Sequence, residues 1–158
     1  MMITLVLTGK TEESFVKDGF AIYEKRVQRY IRFETVTIPE LKNTKNLDEH
    51  QIREKESELQ LKFFNNTNFV VLLDEKGKGY RSVEFAEFLQ NKMNSSVKNM
   101  VFIIGGAYGF SDKIIKKANA KISLSKMTFS HQVVRVFFME QLYRALSILR
   151  NEPYHHEG

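Results

Sequence analysis

Two short apolar runs constrain this chain more than anything else in it. "FVVLLD" (residues 69–74) and "MVFII" (100–104) are uninterrupted, rich in β-branched residues, and too short to be buried helices. A strand with one wet face alternates apolar and polar side chains, whereas a strand covered on both faces reads as a continuous run. Both runs are therefore expected to be central strands of a parallel sheet with helices on its two sides. The remaining segments fall into step. "MITLVLT" (2–8) and "FETVTI" (33–38) predict two more strands, the second ended by Pro39, and a brief one is expected near Lys121–Leu124. Between them the apolar spacing lengthens to the helical period. Val16, Phe20, Tyr23, Val27 and Tyr30 recur at 4-3-4-3 intervals on a helix for which Thr11 is the candidate cap. Ile52, Glu56, Leu59 and Phe63 mark a second, more charged helix across 48–64, in which Glu56 breaks the apolar stripe. Ser82 opens a short helix bearing Phe85, Phe88 and Leu89, another is expected at Lys113–Ala118, and a last one follows His131.

Strand and helix thus alternate about five times with short connections, the pattern of an α/β fold with a mostly parallel sheet flanked by helices. No repeat, low-complexity stretch or linker interrupts it, so a single domain over 1–158 is expected. The chain has no cysteine, which removes disulfides and thiolate metal sites. Its start, "MMITLVLTGK", lacks the basic region and long apolar core of a signal peptide. No run approaches the roughly 18 apolar residues of a membrane span, so no membrane association and a cytoplasmic location are expected. The net charge is +5 and the pI near 9.3. That suits a polyanionic partner, and equally a solvated, mildly basic surface. Between Phe110 and Met127, Lys113, Lys116, Lys117, Lys121 and Lys126 stand against the single Asp112.

In open α/β sheets, ligands sit outside the carboxyl ends of the strands. Three segments there have unusual composition: "LDEKGKGYRS", "IGGAYGFS" and "LSKMTFSH". Each is readable as a mere turn, but together they predict a site along one sheet edge. What the site lacks is informative. The glycines at 105, 106 and 109 do not spell G-x-G-x-x-G, and no G-x-x-x-x-G-K-[ST] cradle is present. His155 and His156 have no cysteine or spaced carboxylate to complete a metal site, so no metal is expected. Ser130 and His131 are neighbours on one turn without a nucleophile elbow, a weak hydrolase signal. The final helix is apolar on nearly every face, which calls for a second cover beyond the sheet; a two-fold partner is the economical one.

Three blocks carry a closer likeness. "LLDEKGKGYRSVEFA", "FIIGGAYGFS" and "ISLSKMTFSHQVVRVFFMEQLYRALSILRNEPYHHE" resemble the signature blocks of the bacterial large-subunit ribosomal RNA pseudouridine N3-methyltransferases, of the SPOUT class. The likeness spans essentially the whole chain. It implies an α/β fold with a C-terminal trefoil knot, a homodimer, and S-adenosylmethionine as cofactor. It implies that Leu73, Gly105 and Gly106 meet the cofactor after the third and fourth strands, with Ser125, Lys126, Met127, Thr128, Phe129 and Ser130 as the third wall. Some relatives have proline where Ser130 stands, a departure expected to loosen the start of the helix. The implied reaction is methylation of N3 of a pseudouridine in 23S ribosomal RNA within the assembled ribosome.

That reaction needs loss of the imide proton and charge stabilisation on the base. The groups available at the C-terminal end are His131, Arg135, Arg144, Tyr154 and His155. The competing reading for Arg135 and Arg144 is interface salt bridges with Glu140, and for Tyr154 and His155 a frayed tail. Pro153 stops the helix, and "PYHHEG" is then expected to be loose enough to reach across a dimer. The alternatives are a non-catalytic ribosome-binding factor on the same fold and, more distantly, a flavodoxin-like nucleotide binder.

Overall fold

Five strands build one sheet in the order β2-β1-β4-β3-β5, with every pairing parallel. The computed structural model describes residues 1–156. Glu157 and Gly158, which end the expected 1–158 domain and the "PYHHEG" tail, lie outside the described residues. The strands are β1 (Met2–Thr8), β2 (Arg32–Ile38), β3 (Asn68–Gly79), β4 (Asn99–Ile104) and β5 (Ala120–Ser123). The two uninterrupted apolar runs are β4 at the centre and β3 beside it, and their side chains are buried on both faces.

Helices α1 (Ser14–Gln28), α3 (Ser82–Met93) and α5 (Val133–Leu149) cover one face, sharing a core with Leu5, Val71, Phe102 and Ile104. Helices α2 (Glu49–Gln60) and α4 (Asp112–Lys117) cover the other, over Val6, Val70, Leu72 and Ile103. Phe102 and Phe138 anchor the first core, with ring centroids 4.9 Å apart. Among the described residues no helix is long and apolar enough to cross a membrane.

Several boundaries differ from the sequence reading, each for a local reason. Glu13, without a side-chain capping bond, holds the N-cap position of α1, and Thr11 does not cap it: its hydroxyl accepts from Arg135 at 2.7 Å. Helix α2 is shorter than 48–64. Asp48 and Gln51 exchange backbone-to-side-chain hydrogen bonds of 2.8 and 2.9 Å at its start, and a 3-10 turn replaces its last turn. Strand β3 does not stop at Asp74. Its polar extension "EKGKG" meets β5 a second time, so that both Leu73 and Lys78 stand opposite Ile122. The backbones come close there: a methyl group added to Gly77 would lie 2.7 Å from the Ile122 nitrogen. Only glycine permits that approach.

The all-round apolarity of α5 also has an internal explanation. The helix lies between α1 and α3 as well as on the sheet, so Phe138, Met139, Leu142, Ala145 and Leu146 are all buried within the chain. What stays open is narrower: Phe137 at 44% exposure on α5, with Phe15 at 62% and Ile22 at 52% exposed on α1.

Candidate functional site

Because the sheet is wholly parallel, the loops after β3, β4 and β5 leave from one edge. The crossover after β3 leads towards β1 and that after β4 leads back past β3, so the crevice between them is the place where a ligand enters such folds. A cavity of about 700 Å³ lies there, within the usual range for small-molecule sites. Leu73, Gly105, Gly106, Ser125, Met127, Thr128, Phe129 and His131 all line it. The structure thus brings together most of the sequence-derived cofactor set.

Lys126 and Ser130 stand apart from it. Lys126 faces a second groove of about 360 Å³, beyond the shared wall of Glu75, Leu124 and Ser125. The Ser130 hydroxyl accepts from the Val133 amide at 3.0 Å, so it serves the start of α5. The hydroxyl-rich loop is therefore both things at once. Ser130 begins a helix, while Ser125 and Thr128 face the cavity. Ser125 also accepts from the Met127 amide at 2.9 Å, and Thr128 donates to Glu75 at 2.5 Å, which joins the loop after β5 to the extension of β3.

The glycine pair is constrained by two different neighbours. A side chain at Gly105 would press on Phe110 and on the Gly109 carbonyl. One at Gly106 would overlap both carboxylate oxygens of Glu56. Glu56 is the polar break noticed in the apolar stripe of α2, and the same helix face brings Glu49 and Arg53 to the cavity wall. Sequence reasoning missed these α2 residues because they follow no glycine loop. The displaced stripe at Glu56 was the one available signal. With Asp74, Glu75 and Asp112, Glu49 makes four carboxylates in the lining, against Arg53 and Lys76.

The proposed catalytic residues divide into three groups. His131 lines the cavity, and burial together with the Arg135 charge holds its imidazole below the usual histidine range. It is neutral near pH 7 and able to take up a proton.

Arg135 does not reach the cavity. It is fully buried, donating from Nε to the His131 carbonyl at 3.0 Å, from Nη1 to Thr11 at 2.7 Å and from Nη2 to the Thr8 carbonyl at 3.1 Å. Its fork fastens the end of β1 to the start of α5, which excludes both direct contact with a substrate and the salt bridge with Glu140. Gln132 reinforces the fastening, accepting from the Glu12 amide at 2.8 Å and donating to the Lys10 carbonyl at 3.1 Å.

Arg144, Tyr154 and His155 form a separate cluster. Arg144 donates to Glu140 from Nε at 3.0 Å and from Nη2 at 2.6 Å, and its Nη1 lies 3.1 Å from His155 Nδ1. Tyr154 donates to the same Glu140 oxygen at 3.0 Å, packs its ring 4.6 Å from Tyr143, and carries the Arg144 guanidinium on its face. Burial, then hydrogen bonds with Tyr23 and Glu140, push the Tyr154 hydroxyl well above the usual tyrosine range, so it remains a donor. The tail through His155 therefore folds back on α5, contrary to the frayed or loose segment expected, and Tyr30 donates to Glu152 to hold its root. Along the helix axis, at 1.5 Å of rise per residue, Arg144 stands about 16 Å beyond the start of α5 at Val133, which His131 precedes. A single chain does not join the two.

Comparison with known proteins agrees with this geometry. A family model described as "Predicted SPOUT methyltransferase" matches residues 1–155. The chain is 56% identical over 156 residues to a protein of Christiangramia forsetii named "Ribosomal RNA large subunit methyltransferase H", covering 99% of each. To the protein of that name from Flavobacterium johnsoniae it is 55% identical over 157 residues, covering 99% of this chain and all of the relative. Among solved structures, a probable methylase family protein from Haemophilus influenzae shares the fold. The TM-score is 0.53 at 10% identity, over 99% of this chain and 70% of that one. With a match along nearly its entire length and a parallel sheet that opens a cavity at its carboxyl edge, the chain belongs to the SPOUT methyltransferase family.

Proposed function

We propose that this chain uses S-adenosylmethionine to methylate N3 of a pseudouridine in 23S ribosomal RNA, acting on assembled ribosomes in the cytoplasm as a homodimer. The observation that carries the reading is the cavity itself, glycine-backed and acid-rich, in a chain whose full-length relatives are named for methylating large-subunit ribosomal RNA. The lining fits the cofactor by its chemistry. Four carboxylates against two cations favour a positively charged ligand, and no lysine-glycine cradle for phosphate is present in the sequence. When bound, S-adenosylmethionine supplies an electrophilic methyl group on a sulfonium. Leu73, Ile104 and Ile122 would offer it apolar contact, and the backbone at Gly105 and Gly106 a close approach.

The protein's remaining task is to make a poor nucleophile competent. The imide nitrogen must lose its proton as it attacks, and the neutral His131 imidazole at the cavity is suited to accept it. Arg144, pinned by Glu140, is suited to stabilise negative charge on the base, and Tyr154 to stack on it. These groups lie too far along α5 to act on their own cavity. The exposed Phe15, Ile22 and Phe137 support a two-fold pairing through α1 and α5 that would bring one copy's Arg144, Tyr154 and His155 to the other's cavity. We extend the same reading to the trefoil knot of the class, with the close crossing of Gly77 over Lys121–Ile122 as its tightest point.

The test is incubation of ribosomal subunits with the protein and isotopically labelled cofactor, followed by mass spectrometry of 23S RNA fragments. One labelled methyl on one pseudouridine is expected. Folded, dimeric, cofactor-binding protein that transfers no methyl to any subunit would leave a non-catalytic ribosome-binding factor in its place.

A further inference from the structure

One buried acid is left without a task by the reaction described. Glu56 Oε1 is shielded from solvent and has no hydrogen-bond partner. The carboxyl lies against Gly106, so that the glycine backbone stands between it and the cavity. The surrounding charges do not neutralise it. On its own helix, Arg53 is turned to the cavity wall and paired with Glu49 at 4.0 Å. From the loop after β2, Glu40 adds a second negative charge. From the end of β1 comes only Thr8, bonded to Gln60 at 3.0 Å, and the Gly105–Gly109 loop contributes one titratable side chain, Tyr108. On α5 and just before it, Arg135 and His131 both feel Glu40. An acid kept in such a place destabilises the fold unless something repays it.

We propose that Glu56 is a charge-discriminating residue of the cofactor site, whose carboxylate favours the cationic sulfonium donor over the neutral thioether left after methyl transfer. The inference rests on the cofactor reading above and deepens it. The four carboxylates in the lining face solvent and are screened by salt, whereas Glu56 acts from a desolvated position where charges interact more strongly. Discrimination of this kind matters for turnover. Donor and product share their adenosine and amino-acid parts, and the contacts with those parts hold both equally. Only the charge on sulfur distinguishes them chemically, apart from the methyl itself.

The mechanism has a pH signature. Burial, assisted by Glu40, raises the carboxyl to about 7. Below that value Glu56 is neutral and indifferent to ligand charge; above it, the carboxylate attracts a cation. A cationic ligand therefore draws the group towards its ionised form and releases a proton near pH 7, while a neutral ligand does not. His131 is depressed below the usual histidine range, so its own change of charge falls lower.

The experiment is calorimetric titration of the full-length wild type and of Glu56→Gln with S-adenosylmethionine and S-adenosylhomocysteine, from about pH 6 to 8.5, in buffers of different ionisation enthalpy. In wild type the preference for donor over product should rise by about tenfold across that range, with proton release centred near pH 7 for the donor alone. In Glu56→Gln the preference should be flat and the release absent. Superimposable profiles for the two proteins overturn the inference. Should Glu56→Gln not fold, the wild type decides alone, and absence of donor-specific release near pH 7 overturns it. A folded wild type that binds neither ligand overturns the cofactor reading, and this inference with it.

Discussion

Gly106 and Glu56 cannot be understood separately. A valine at 106 would collide with the carboxylate of a flexible side chain, not with rigid backbone, so the chain can adjust by expelling Glu56. Gly106→Val is expected to lower cofactor affinity at least about tenfold while leaving the protein folded. Gly106→Val with Glu56→Ala should recover part of that loss, as contacting residues couple; strict additivity in calorimetry would show that they do not touch. Glu56 also has a stability signature. Its folded value is about 7 against an ordinary 4.5, so the folded chain holds this proton more tightly than the unfolded one does. Its stability contribution is whole below about 4.5 and is lost as pH rises through 7. Thermal melting should find Glu56→Gln more stable than wild type at pH 8 and converging with it at pH 5. Arg135 makes the opposite case, a buried cation with three partners. Arg135→Met should cost about 3–5 kcal/mol in denaturant unfolding, because it strands the Thr8 carbonyl and leaves its acidic neighbours uncompensated.

At the scale of elements, the proposed function makes α5 and its tail the working parts. Removal of the chain from Pro153 onward takes away Tyr154 and His155, but touches neither the cavity lining nor Phe137. Dimerisation by light scattering and cofactor affinity by calorimetry should both survive, while methylation of ribosomes should fall at least about tenfold. Retained turnover would reduce the tail to packing on Tyr143. How much of this was legible beforehand differs by element. β1, β4 and the core of β3 were readable because burial on both faces leaves mostly apolar runs, whereas β2, an edge strand with Glu34 and Thr37 exposed, was legible from its β-branched residues and the Pro39 that ends it. The extension of β3 was not, since "EKGKG" is held by backbone pairing with β5 and owes little to its side chains. Of the site, the glycine and hydroxyl loops were visible as composition. Glu49 and Arg53 were not, because they arrive from a helix distant in sequence. Arg135 was misplaced for a related reason: an arginine in an apolar helix looks functional until the carbonyl it fastens, 127 residues away, is seen.

At the scale of the whole molecule, the described residues build one five-stranded parallel sheet with its covering helices. On the proposed reading, with a net charge of +5, recognition is expected to draw on charge and shape over a large preformed surface. Assembled ribosomes should therefore be much better substrates than naked 23S RNA, and binding to them should weaken steeply with added salt. Equal rates on both would contradict this account.

The fastening of Thr8 and Thr11 by Arg135 has one more consequence, for the birth of the protein. The first strand emerges from the ribosome early, yet its end is held by a residue made near the last. β4 inserts between β1 and β3, and β5 follows at the edge, so β1 and β3 each wait for a later neighbour. Such long-range pairings form slowly and late. The cavity is lined from α2, from the ends of β3, β4 and β5, and by Val134 of α5. A chain that has not yet added β5 and the start of α5 is thus expected to lack the complete cavity.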